Sequence, residues 1–124
     1  MNTRKLILPS LILAFSFVQS AHAQKASEQF IPLGQSPGLS GEATLLGTIQ
    51  AVDPNTGNIT INLDKGGSRI ICVLPKTRLW QDRSPEHQSS HKCELQDLKP
   101  GQRVEAMPQT GDPGHAEWLK VQKK

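Results

Sequence analysis

The side chains best suited to chemistry cluster in one polar stretch, where His87, His91 and Cys93 follow the spacing His-x-x-x-His-x-Cys. On a helix, two histidines four residues apart lie on one face. Imidazole nitrogens and a thiolate are ligands that zinc and copper accept. The spacing therefore indicates a candidate copper or zinc site in the 87–93 loop. The simpler interpretation, a pair of exposed loop histidines, is the one we favour.

A second candidate feature is a disulfide between Cys72 and Cys93, the two cysteines of the chain. Paired thiols in an exported protein usually oxidise. Closing a loop of about 20 residues contributes roughly 3 kcal/mol in the chain-entropy model. A disulfide would remove the thiolate that a metal site needs. The competing interpretations are a metal-binding thiolate and a buried free cysteine.

Catalytic chemistry finds little support in the sequence. Asp82, Ser84 and His87 are residue types found in hydrolases, but their order and spacing match no nucleophile elbow, and geometry rather than inventory makes a triad. The run that contains Asp53 and Asn55 lacks the acidic density of a calcium loop. The sequence predicts no enzyme activity and no cofactor.

The N-terminus has the organisation of a secretory signal peptide over residues 1–23. Arg4 and Lys5 precede an uncharged apolar run at 6–18, and a small-x-small site ends at Ala23. The run rises only about 20 Å as a helix, against a hydrocarbon core of about 30 Å. We therefore expect cleavage before Gln24, a periplasmic or secreted protein, and no stable membrane insertion afterwards.

Cleavage changes what the composition implies about partners. Losing two cations lowers the formal net charge from +3 to +1, and the mature chain has no Tyr and only Phe30, Trp80 and Trp118 as aromatics. A nucleic-acid groove needs basic charge and stacking rings. The sequence therefore predicts no nucleic-acid partner, and aliphatic side chains must build the core.

Residues 24–42 form an N-terminal arm that is rich in Pro and Gly and has no periodicity, so we expect it to be extended and irregular. Phe30, Ile31, Leu33 and Leu39 make it more apolar than a free linker needs. The arm either packs over the following domain, binds a partner, or is a partly ordered tether.

Residues 43–124 have the pattern of one all-β domain. Apolar and polar residues alternate in strands separated by Gly-, Pro- and Asn-containing turns, most clearly over 58–63. Residues 94–98 predict a single helical turn, and Ser84-Pro85-Glu86 predicts the start of a short helix. The predicted architecture is a small five-stranded OB-like barrel with one short helical turn.

Three segments support a resemblance to a known architecture, namely 47–53 (GTIQAVD), 58–63 (NITINL) and 97–105 (DLKPGQRVE). They resemble small bacterial exported OB-fold-like barrels over residues 43–121, and several such families are defined only as domains of unknown function. Periplasmic copper-carrier barrels share the strand plan and bind Cu(I) or Ag(I) through a His, two Met and a stacked Trp. The mature chain has only Met107 and lacks their Met-Thr-Met strand, so the resemblance transfers no site.

The sequence therefore predicts a non-enzymatic periplasmic or secreted binding module that contacts an envelope protein or a small ligand. Because function usually lies on loops, we expect the surface around the 81–92 loop, with Trp80, Asp82, Arg83 and the arm at Phe30. The alternative is the copper or zinc module of the 87–93 loop.

Overall fold

A computed structural model describes residues 28–123 of the protein. The strands are β1 (Leu45–Val52), β2 (Asn58–Leu63), β3 (Ser68–Cys72), β4 (Arg78–Asp82), β5 (His91–Lys92), β6 (Arg103–Gln109) and β7 (Asp112–Gln122). Single 3-10 turns lie at Glu28–Phe30, Ser84–Glu86 and Leu95–Asp97. The predicted signal peptide and its cleavage site fall outside the described residues. Within those residues, no helix has the length and apolar character to cross a membrane.

Five of the strands close into a ring, which confirms the predicted all-β barrel. β1 pairs antiparallel with β2 and β6, β2 pairs with β3, and β6 pairs with β7. The ring closes where β3 lies parallel to β7, with Cys72 opposite His115. β4 continues parallel along β7, and β5 pairs with β4 as an outer edge.

The core inside the ring is aliphatic, as the composition predicts. Alternation along the strands sends every second side chain inward. The buried cluster consists of Leu45, Ile49, Ile59, Ile61, Ile71, Leu98, Val104, Ala106, Ala116, Leu119 and Val121. The 3-10 turn at Leu95–Asp97 brings Leu98 into this cluster, so the predicted helical turn does close the core.

Gly47 allows β1 and β2 to approach closely. A Cβ at this position would lie 1.9 Å from the carbonyl oxygen of Asn62, which is far inside van der Waals contact. Any side chain here would force the two strands apart, so the barrel requires glycine at this crossing.

The helix expected to place His87 and His91 on one face does not form. The 3-10 turn at Ser84–Glu86 ends at His87, whose φ of 57° lies in the left-handed region. That conformation ends a helix rather than continuing it. The chain then enters the short strand β5 at His91, so the helical spacing argument for the two histidines is wrong.

Candidate functional site

The N-terminal arm packs on the outer face of the sheet formed by β6, β7 and β4, and Glu105 anchors its second half. The Glu105 side chain is fully buried. One carboxylate oxygen accepts the Gly34 amide at 2.9 Å, and the other accepts the hydroxyls of Ser40 at 2.6 Å and Thr44 at 2.8 Å. This carboxylate therefore ties two points of the arm, and Thr44 just before β1, to β6.

Lys120 anchors the first half of the arm. Its ammonium group is fully buried, donates to a Glu28 carboxylate oxygen at 2.8 Å and to the Ile31 carbonyl at 2.9 Å, and lies 4.8 Å from the ring centroid of Trp118. Glu28 also accepts the Ser36 hydroxyl at 2.6 Å. A buried charge is tolerated only when it is paired and hydrogen-bonded, and both charges here meet that condition.

The predicted surface around the 81–92 loop is largely covered. Asp82 is 2 % exposed, and its two oxygens accept the amides of Leu33 at 3.0 Å and Ser84 at 2.9 Å. Trp80 is 3 % exposed and packs against Trp118 at a centroid distance of 5.8 Å. Alternation along β4 puts both residues on one face of the sheet, so little of either side chain is left for a docking surface.

The other two residues of that predicted surface have different environments. Phe30 is exposed at the end of the first 3-10 turn. Arg83 is half-buried, and one terminal guanidinium nitrogen lies 3.3 Å from Nδ1 of His91. Within residues 28–123, Nε of Arg83 is a buried donor without a hydrogen-bond partner.

The three candidate metal ligands are not brought together. His87 and His91 are exposed, whereas Cys93 is half-buried and packs against the core. In the described part of the chain, no group of three or more His, Cys, Asp or Glu side chains is placed to hold a metal ion. The 87–93 loop therefore lacks the geometry of the predicted copper or zinc site.

Cys72 and Cys93 are free thiols, so the predicted disulfide is not formed in the structure. Cys72 lies opposite His115 of β7, whereas the Cys93 amide donates to Leu79, which lies opposite Leu119. Four residues along a strand span about 13 Å, but bridged cysteines have Cα atoms within about 7 Å. The strand register explains the missing bond.

The environment of Cys93 also sets its chemistry. Burial raises the pKa of its thiol to about 11, with a smaller contribution from the negative charge of Asp97. The thiolate is the nucleophile and the metal ligand. At neutral pH this thiol is therefore protonated and unreactive.

An open groove lies beside Cys93, at the end of the barrel where three connections meet. The β1–β2 turn, the link between β3 and β4, and the 3-10 turn at Leu95–Asp97 enclose a cavity of about 450 Å³. Gly57, with a φ of 81°, lets the first turn reach the link, since a Cβ there would lie 2.5 Å from the Val73 carbonyl oxygen. The Val73 amide donates to the Gly57 carbonyl at 2.8 Å and fixes this wall.

A second groove of about 490 Å³ adjoins the first. The two grooves share four of their lining residues, namely Pro75, Thr77, Leu79 and Cys93. We call the two grooves together the trough. Its second half is also lined by Gln29 of the arm and by Lys76, Arg78, Trp80 and Lys92.

Nothing in the sequence patterns predicts the trough. Its lining comes from four separate stretches of chain (residue 29, 54–57, 73–80 and 92–95), and only barrel closure brings them together. The one available signal is the pair of cations Lys76 and Arg78 shortly after Pro75, because they interrupt the apolar pattern of the preceding strand.

Comparisons with known proteins give a distant structural likeness and no family. Neither a protein-family model nor a curated protein matches the chain, so membership of a defined family is not established. Solved structures of CusF are similar: a Cu(II) form of a variant from Escherichia coli (18 % identity, 65 % of this chain and 91 % of that chain, TM-score 0.44) and an Ag(I) form from Escherichia coli (18 %, 65 % and 91 %, TM-score 0.43). At this identity and TM-score, the likeness assigns no role to any residue of this chain.

Proposed function

We propose that this protein is an exported, non-enzymatic binding module whose small ligand occupies the trough. The observation that carries the proposal is that two open grooves lie side by side and share four lining residues. Each groove lies within the range of about 300–1,000 Å³ that is usual for small-molecule sites.

The lining of the trough is suited to reversible binding. Half-buried Leu79 and Cys93 form an apolar floor, while exposed polar and charged side chains such as Asn55 and Lys92 stand at the rim. Apolar surface with a few placed polar groups is the usual composition of ligand sites. Burial raises the pKa of the Cys93 thiol to about 11, so the side chain on the floor is a poor nucleophile. This supports binding over covalent catalysis.

Export is the part of the proposal that the N-terminal sequence supports. The protein should be purified from the periplasm of an expressing Gram-negative host and its intact mass measured. A mass that begins at Gln24 supports cleavage after Ala23. A mass that includes residues 1–23 contradicts it.

Binding in the trough can be tested with amide chemical shifts of the exported protein during titration with small anionic, neutral and cationic fragments. We expect the shifted amides to fall in 54–57, 73–80 and 92–95. If every responsive amide lies elsewhere, or none responds, the trough is not the ligand site.

A matched pair of variants separates the trough from the rest of the surface. Asn55→Trp fills the first groove from the β1–β2 turn, whereas Lys65→Trp adds the same side chain to the β2–β3 turn, away from the trough. We expect the first variant to weaken fragment binding and the second to leave it unchanged. Equal effects of the two would contradict a site in the trough.

A further inference from the structure

We infer that the ligand of the trough is a small organic anion, with a carboxylate, sulfonate or phosphate group, joined to an apolar body. This inference rests on the proposed function and adds the chemical class of the ligand. It is carried by the placement of three cations, Lys76, Arg78 and Lys92, around the second groove.

The strand register makes two of these cations neighbours of one indole ring. Arg78 lies two residues before Trp80 on β4 and therefore on the same face of the sheet, and its guanidinium carbon is 5.9 Å from the ring centroid. Lys92 lies directly opposite Trp80 on β5. Cross-strand neighbours have Cβ atoms about 4.5–5.5 Å apart. Trp80, packed against Trp118, is thus a fixed neighbour of both cations.

The charges around the groove leave it positive. The nine lining residues include Lys76, Arg78 and Lys92 but no carboxylate. Two acidic residues line adjoining grooves. Glu94 lines the first groove, and Glu117 lines a third groove together with Lys76 and Arg78. The ion pair between Lys120 and Glu28 lies buried beneath the arm and is balanced internally. The three cations outnumber the two acidic residues, so the net charge around the groove is positive and favours an anionic ligand.

The floor determines the rest of the ligand. Leu79 and Cys93 line both grooves, and Val73 and Leu95 add apolar surface to the first. Alternation along β4 turns the Leu79 side chain away from the face of Arg78 and Trp80, so an apolar body reaches it by passing the strand edge. An anionic group held by the cations would leave an attached apolar body to lie along this floor. A fully hydrated inorganic ion would make no use of it.

Three naphthalene probes test the charge preference because they share one ring system. They are naphthalene-1-sulfonate, neutral 1-naphthalenemethanol and cationic 1-naphthylmethylammonium, each titrated into the exported protein while trough amides are followed by NMR. We expect the sulfonate to bind about tenfold more tightly than the other two, with an affinity that falls as salt is raised.

Two triple variants with the same change in net charge provide the control. Lys76→Gln/Arg78→Gln/Lys92→Gln removes the groove cations. Lys65→Gln/Arg69→Gln/Lys99→Gln removes two lysines and one arginine, all exposed, from positions outside the trough. We expect the first to weaken sulfonate binding about tenfold and the second to change it less than about twofold. Arg78→Gln and Lys92→Gln as single variants give the same comparison should the first triple variant unfold.

The outcomes separate the two proposals. If the neutral and cationic probes shift the trough amides as strongly as the sulfonate does, the trough binds ligands but the inference of an anion is wrong. If both triple variants weaken the sulfonate equally, the groove cations have no specific role, and the inference is again wrong. If no probe shifts any trough amide, the proposed function itself fails.

Discussion

Lys120 and Arg78 lie on the same face of the sheet, on neighbouring strands, yet their surroundings are opposite. The Lys120 ammonium is fully buried under the arm and is paired with Glu28. The Arg78 guanidinium is exposed at the edge of the trough, over the ring of Trp80. The arm, which covers one part of the face and not the other, makes the difference.

This contrast assigns different roles to similar charges. A buried, paired charge holds its partner in one position because separation would leave the other charge unpaired in a dry environment. An exposed cation contributes little to stability and remains available to a ligand. We therefore expect changes beneath the arm to affect folding and changes at the trough to affect binding.

The largest effect is expected from Lys120→Met, which removes the ammonium and leaves the Glu28 carboxylate buried beside its remaining partner, Ser36. Breaking a buried pair from one side costs about 3–5 kcal/mol, measured as the free energy of unfolding in urea. The control is Lys123→Met, whose partner Glu86 is 3.7 Å away at the surface, with an expected loss below about 1 kcal/mol. Similar losses for the two would remove the contrast between the regions.

The second effect concerns the floor of the trough, where Cys93 is half-buried rather than fully covered. With its pKa raised from 9.0 to about 11, Cys93 should react with iodoacetamide at pH 8 about 100-fold more slowly than an unperturbed thiol. The free energy of unfolding should also fall as the pH rises from about 9, because the unfolded chain loses this proton first.

Urea provides the control for that measurement, since both cysteines should then react rapidly. Suppose that neither cysteine reacts in urea without a reductant and that the intact mass is two hydrogens short. The Cys72–Cys93 disulfide predicted from the sequence then exists, and the arrangement of free thiols is wrong. Rapid reaction of Cys93 in the folded protein would mean that water reaches the floor.

A third, smaller effect is expected at the anchor between β4 and the arm. Asp82→Asn keeps the shape but turns one of two acceptors into a donor, so either Leu33 or Ser84 loses its partner. The expected cost is about 1–3 kcal/mol. Faster hydrogen exchange at the Leu33 amide would locate the loss at the arm. Unchanged exchange there would show that the bond does not hold the arm.

The smallest effect is expected at an exposed pair, Arg103 and Asp64, which form two hydrogen bonds at 2.7 and 2.8 Å. The hydrogen bonds from Arg103 hold the pKa of Asp64 below its usual value of 3.8. The pair therefore contributes stability above that pH, and the contribution is lost as the pH falls through the lowered pKa. Arg103→Gln should cost less than about 1 kcal/mol at pH 7, and urea curves should show the difference closing in acid.

Much of the architecture was predictable because it depends on local alternation. The pattern over 58–63 places Ile59 and Ile61 inward, and both are fully buried. β5 was missed, since two residues carry no period. The short helix expected to start at Ser84-Pro85-Glu86 is a single 3-10 turn. The left-handed φ of His87 ends it at once, and no local pattern distinguishes that ending from a longer helix.

The sequence by itself determined the all-β architecture and the aliphatic core, because alternation and turn residues act between near neighbours. Only the tertiary structure decided which polar residues are buried. Asp82 and Trp80, expected at the surface, are both buried, and Asp82 accepts the amide of Leu33, which lies 49 residues away in the chain. The trough likewise exists only where four distant stretches meet. Burial and cavity shape are properties of the closed barrel and its arm, and no short stretch of chain encodes them.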